Sequence, residues 1–103
     1  EQSTGRRLFE AINQGGAKAA GRNAGAIAVG KLADLVALDD RRIDLSGRQG
    51  DVLLDSFIFA GDDRMITDVW SAGRHMVQEG RHVRHESITT HYGKVMAELG
   101  AVI

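Results

Sequence analysis

The sequence predicts a small α+β unit. Apolar residues at helical spacing occupy both ends of the 103-residue chain, and short β-suited runs lie between them. The turn chemistry agrees: there are 13 glycines and no proline, so chain reversals rest on glycine. Hydrophobic residues make up 43% and charged residues 26%, an ordinary globular balance. The length is that of one domain with a modest core.

Ser3 or Thr4 can cap a first helix. Its apolar positions, Leu8, Ala11, Ile12, Gly15 and Ala19, fall on one face. The pair Gly15-Gly16 should either break this helix or let it lie close to another backbone, and Gly21 is a natural stop. Residues 22–33 read as loop with a short extended piece over Ala26-Ile27-Ala28-Val29. Asp34 to Asp39 brackets an apolar run that suits a strand buried on both faces. Residues 39–51 read as a charged surface loop. Asp51 is then the expected cap of a short helix over 52–60, closed by Gly61-Asp62-Asp63. Met65 to Ser71 and Arg74 to Glu79 form a hairpin around Ala72-Gly73. A two-residue turn pairs Val69 with Met76 and Trp70 with His75. A last helix over Ser87 to Leu99 carries an amphipathic stripe of Ile88, Tyr92, Val95, Met96 and Leu99.

Charge excludes some partners. The formal net charge is −1 and the arginines are scattered, so neither nucleic acid nor an anionic membrane is expected. The apolar run Val52 to Ala60 is far too short for a membrane helix, and no signal peptide is expected at the polar start. Cysteine is absent, which removes disulfides, thiolate metal sites and cysteine nucleophiles, and suits a reducing, cytoplasmic location.

No catalytic constellation stands out from residue types and spacing. His75, His82, His85 and His91 are the only histidines. His82-x-x-His85 has a metal-like spacing, but Arg81 and Arg84 repel a cation there and no carboxylates complete a ligand set. Asp39-Asp40, Asp62-Asp63 and Asp51/Asp55 read as turn and cap residues rather than paired acids. Gly25-x-x-x-x-Gly30-Lys31 lacks the Ser or Thr of a phosphate loop, since Leu32 follows the lysine. Ser3, Ser46, Ser56, Ser71 and Ser87 have no nucleophile-elbow context. Trp70 is expected in the core.

Three longer segments carry a resemblance. Gly25-Ala26-Ile27-Ala28-Val29-Gly30-Lys31-Leu32-Ala33-Asp34-Leu35-Val36-Ala37-Leu38-Asp39 resembles the amidohydrolase pattern G-x-I-x-x-G-x-x-A-D-L-V-x-x-D. There the chain passes from a (β/α)8 barrel into a small β-sandwich. Gly15 to Arg22 looks like the end of the barrel's last helix, with Ala20 where the family usually has leucine. Val69 to Gly80 is similar to the sandwich's final hairpin. Within that superfamily, Gly47-Arg48-Gln49-Gly50-Asp51-Val52-Leu53-Leu54-Asp55-Ser56-Phe57-Ile58-Phe59-Ala60-Gly61 resembles the formimidoylglutamate deiminases, also called N-formimino-L-glutamate iminohydrolases.

The resemblance implies a C-terminal fragment of such an enzyme. Residues 1–22 would be the barrel's last helix. Residues 23–83 would be the C-terminal part of the sandwich, with an inserted helix at about 52–60, and residues 84–103 a C-terminal helix. The parent would be a cytoplasmic homo-oligomer acting in histidine degradation. It would use zinc or another divalent metal to activate a water and release ammonia from N-formimino-L-glutamate, a small-molecule substrate. Neither the metal ligands nor the reacting groups match residues of this chain, so the fragment is expected to hold no metal and to be inactive. The alternatives are the same segment of another deaminase, guanine deaminase-like or chlorohydrolase-like, or a non-enzymatic interaction module.

Overall fold

The computed structural model describes residues 2–42 and 47–103. In chain order they form α1 (Thr4–Ala20), β1 (Leu35–Leu38), α2 (Gly50–Ala60), a single 3-10 turn (Asp63–Met65), β2 (Ile66–Ser71), β3 (Arg74–Gln78), β4 (Arg81–His82) and α3 (His85–Val102). The strands make one antiparallel sheet in the order β1-β2-β3-β4.

The Ser3 hydroxyl caps α1 by accepting the Arg6 N–H at 3.1 Å, and Gly21 ends it in the left-handed conformation. The helix runs through Gly15-Gly16, and a side chain at either would meet open space. The pair thus does not break α1, and no described residue comes within 4 Å of a side chain placed at either position. The Leu8/Ile12 stripe is likewise left exposed. The face that packs here is a different one. Phe9 meets Phe57 of α2 edge-on, with ring centroids 6.5 Å apart, and Gly5 is buried beneath Asp55. A Cβ at Gly5 would sit 2.3 Å from Asp55 Oδ1 and 2.6 Å from Asp55 Cα, so only glycine admits this approach.

Other boundaries shift for local reasons. Ala26 to Val29 forms no strand; Lys31 N–H closes a turn onto the Ala28 carbonyl, and Ile27 and Val29 stay exposed. Among the described residues β1 pairs only with β2 and Val36 is 57% exposed, so the expected burial on both faces is not met among them. α2 starts at Gly50, with Gln49 as its cap residue and no side-chain cap bond. Asp51 lies inside the helix and bonds elsewhere. The loop reading over 39–51 holds for the turn at Asp39 to Arg42, while Ile43 to Ser46 fall outside the described residues.

Met65 belongs to the 3-10 turn, which Asp62 caps through Arg64 N–H. At 2% exposure it is the one fully buried large side chain among the described residues. The hairpin turns through Ala72-Gly73, both at positive φ (50° and 82°), which matches a type I′ turn. Trp70 pairs with His75 as expected, but a bulge puts Val69 opposite Val77 rather than Met76. Glu79-Gly80 repeats the positive-φ turn and leads into β4, a hairpin not anticipated. Trp70 is half-buried and stacks on the His75 ring at 4.4 Å and 8°.

α3 starts two residues earlier and runs further than expected, and none of its residues is buried. The radius of gyration is 17.3 Å, against about 13 Å for a compact domain of this length. A self-contained core is therefore not what these residues build. Gly5→Ala should lower the thermal midpoint, with a cost of about 1–3 kcal/mol from overpacking against Asp55. Gly15→Ala should instead be neutral or stabilise the 103-residue chain by up to about 1 kcal/mol. Parallel melting curves of the two variants check this.

Candidate functional site

Two carboxylate clusters organise the chain. In the first, Asp34 at the entry to β1 receives Arg22 Nε and Nη2 in a bidentate pair, both at 2.7 Å. Its Oδ1 also accepts the Ala72 N–H at 2.8 Å. Asp34 thereby joins the exit of α1, the first strand and the tip of the β2–β3 hairpin. The Arg22 hydrogen bonds first, then that of Ala72, push its pKa down to about 2.

In the second cluster, α2 supplies Asp51 and Asp55, four residues apart and so on one helical face. Asp51 Oδ2 accepts the Ser3 N–H at 2.9 Å, and its other oxygen accepts from Arg6. Asp55 Oδ1 accepts the Gly5 N–H at 2.7 Å. α1 has no acidic residue in its own first turn. The negative charge that its N-terminus favours comes from another helix. The Ser3 N–H and then Arg6 hold Asp51 below the ordinary carboxylate range. On the same helix Ser56 is buried, accepts from Arg48 Nη1 at 2.6 Å and donates to the Val52 carbonyl at 2.9 Å.

Between α1 and the β1–β2 face lies an open, mainly apolar cleft of about 560 Å³. Phe9, Ile12, Ala17, Leu35, Val69 and Trp70 are among its walls, together with the paired Arg22 and Asp34. Gly25 sits against α1 here: a Cβ would come 3.0 Å from the Asn13 carbonyl oxygen and 3.2 Å from Ala17 Cβ. The cleft offers packing surface and one neutralised ion pair.

The sequence candidates are dispersed. His75 Nε2 donates to Asp68 at 2.7 Å. The Thr67 hydroxyl and then His75 keep Asp68 below its usual pKa. His82 Nδ1 accepts the Arg84 N–H at 3.0 Å, which occupies one nitrogen of the His82/His85 pair, and His91 lies exposed on α3. Asp39 and Asp62 bond Arg41 and Arg64 two residues on, as turn and cap residues. Lys31 Nζ donates to Asn23 Oδ1 at 3.1 Å, and Asn23 holds the Gly25–Gly30 loop by donating to the Gly30 carbonyl, with no helix behind it to cradle a phosphate. Ser46 lies outside the described residues. Among the described residues no three His, Cys, Asp or Glu side chains come together to hold a metal ion. The donors present do not fit the divalent metal that the resemblance implies. No helix among them is long and apolar enough to cross a membrane.

The chain's family follows from comparison. The amidohydrolase family model matches residues 4–76, and the chain belongs to that family. Over 95 residues, 92% of this chain, it is 43% identical to a formimidoylglutamate deiminase of Pseudomonas aeruginosa. An amidohydrolase structure from Brucella melitensis superposes over 96% of this chain with a TM-score of 0.79 and 39% identity. The chain spans 21% of the length of each of these relatives.

A carboxyl with a lowered folded pKa contributes stability above its unfolded value and loses it as pH falls through the folded one. The Asp34 contribution should therefore be complete above about pH 4 and vanish as pH falls through about 2. Asp34→Asn should lower stability near neutrality and flatten the stability profile across that window. Denaturant titrations at stepped pH check both.

Proposed function

We propose that these residues serve as the C-terminal structural segment of a metal-dependent hydrolase that deiminates N-formimino-L-glutamate to N-formyl-L-glutamate and ammonia. The observation that carries the reading is the 43% identity to a formimidoylglutamate deiminase across 92% of the chain. The stretch from Gly47 to Gly61 supports it, because its polar residues have structural work to do: Arg48 holds Ser56, and Asp51 and Asp55 hold α1.

In this reading residues 1–22 are the last helix of a (β/α)8 barrel. Residues 23–83 complete a small β-sandwich, with α2 inserted, and residues 84–103 form the closing helix. The open cleft and the exposed Leu8, Ile12 and Val36 are surfaces for the rest of that enzyme. The divalent metal, zinc in this proposal, and the reacting groups belong to the barrel, so the segment contributes position rather than chemistry. The enzyme would be a cytoplasmic homo-oligomer of histidine degradation.

The full-length protein should release ammonia from N-formimino-L-glutamate with a kcat/KM well above that for guanine, cytosine or a hydantoin, since that ratio reports discrimination. A preference for an aromatic nucleobase would overturn the deiminase reading. Asp51→Asn should lower the thermal midpoint of the same protein while the kcat and KM of its folded fraction hold.

A further inference from the structure

α2 is tied to other parts of the chain at both of its ends. Its C-terminal end rests on the core: a Cβ at Gly61 would come 2.6 Å from Met65 Sδ, and Met65 is fully buried just before β2. Its first two turns reach the start of α1. There Asp51 Oδ2 accepts the Ser3 N–H at 2.9 Å, and Asp55 Oδ1 accepts the Gly5 N–H at 2.7 Å. Both donors are main-chain groups, so these bonds fix where the backbone of α1 begins. Gly5 tightens the constraint, because it is buried and a Cβ there would come 2.6 Å from Asp55 Cα. One turn further along α1, Phe9 meets Phe57 of α2 edge-on. The far end of α1 is held by the Arg22–Asp34 pair at the entry to β1. The sheet and α2 therefore set the path of α1 from both ends.

In a (β/α)8 barrel every helix starts where a βα loop ends, and those loops build the catalytic face. We infer, resting on the proposed reading of residues 1–22 as the barrel's last helix, that α2 holds the last βα loop in its working position and that Asp55 is a positioning residue for the deimination. The first turn of α1 is the anchor at which that loop ends. A shift of the anchor shifts the loop, and a misplacement of about 1 Å can lower a rate roughly 100-fold even when the altered residue is far from the chemistry. Hydrogen bonding sets the position here, and charge adds stability. An asparagine keeps an accepting oxygen but loses the negative charge that the start of a helix favours. Asparagine at 55 therefore holds the loop at some loss of stability, whereas alanine releases it. A residue that only stabilises behaves differently: its removal lowers the folded fraction and leaves the turnover of the folded molecules intact.

The test compares full-length wild-type enzyme with Asp55→Ala, Asp55→Asn and Gly5→Ala, each well below its thermal midpoint and corrected for the folded fraction. On N-formimino-L-glutamate, Asp55→Ala should lose roughly 10- to 100-fold in kcat/KM, and Asp55→Asn should regain most of that loss. Gly5→Ala pushes α2 off the start of α1 and should also slow turnover. Amide hydrogen exchange over residues 3–6 should rise in Asp55→Ala and stay near wild type in Asp55→Asn. Wild-type kcat and KM in folded Asp55→Ala would overturn the inference. So would an Asp55→Asn enzyme as slow as Asp55→Ala, since charge rather than position would then be at work. If Asp55→Ala does not fold, Gly5→Ala decides by the same kinetics, and wild-type values there overturn the inference. A wild-type enzyme that prefers a nucleobase removes the deiminase reading, and the same variants assayed on that nucleobase still decide whether α2 positions the loop.

Discussion

Asp34 is where three parts of the chain become one. Its carboxylate takes both nitrogens of the Arg22 fork and the Ala72 N–H. Remove it and the exit of α1, the start of β1 and the hairpin tip have no common anchor. Ala72 shows why the anchor matters. It sits at a φ of 50°, a conformation that costs an alanine roughly 1–2 kcal/mol, and its N–H is held by Asp34 in that state. The neighbouring bond from Gly73 N–H to the Ala33 carbonyl, 2.9 Å, fixes the same junction from the backbone side.

The second cluster repeats the principle at the other end of α1. A helix start leaves its first N–H groups without partners, and here Ser3 satisfies one while Asp51 and Asp55 satisfy others from α2. Asp51 and Asp55 thus dock one helix onto another. Gly5 is part of the same device, because the carboxylate can approach only where there is no Cβ. Both ends of α1 are therefore pinned by aspartates, while its Leu8/Ile12 stripe stays exposed.

Much of the local structure was legible in the residues. The Ser3 cap, the Gly21 stop, the Ala72-Gly73 turn, the Trp70–His75 pair and the amphipathic last helix all follow from near-neighbour chemistry. Asp62 was legible as a turn residue from its preference for such positions, though its cap of the 3-10 turn was not. The bulge at Val69 was not, since register depends on backbone hydrogen bonds between strands rather than on composition. Asp51 misled for a related reason. Its position suits a cap for its own helix, and only the arrival of α1 gives it stronger donors.

The sequence by itself determined the three helices and the strands β1 to β3, though not β4 or the turn over Ala26 to Val29, and, through the Gly25–Asp39 and Gly47–Gly61 patterns, the family. Periodicity, caps and glycine turns act over a few residues, so they can be read in order along the chain. Tertiary structure decided what each polar residue is for. Asp34 reaches Ala72, and Asp55 reaches Gly5, across 38 and 50 residues. A bond at that separation depends on where the fold carries both ends, and no local preference encodes it. The same holds for burial: Ile12 and Val36 look like core residues in the sequence, yet the fold of the described residues leaves both exposed.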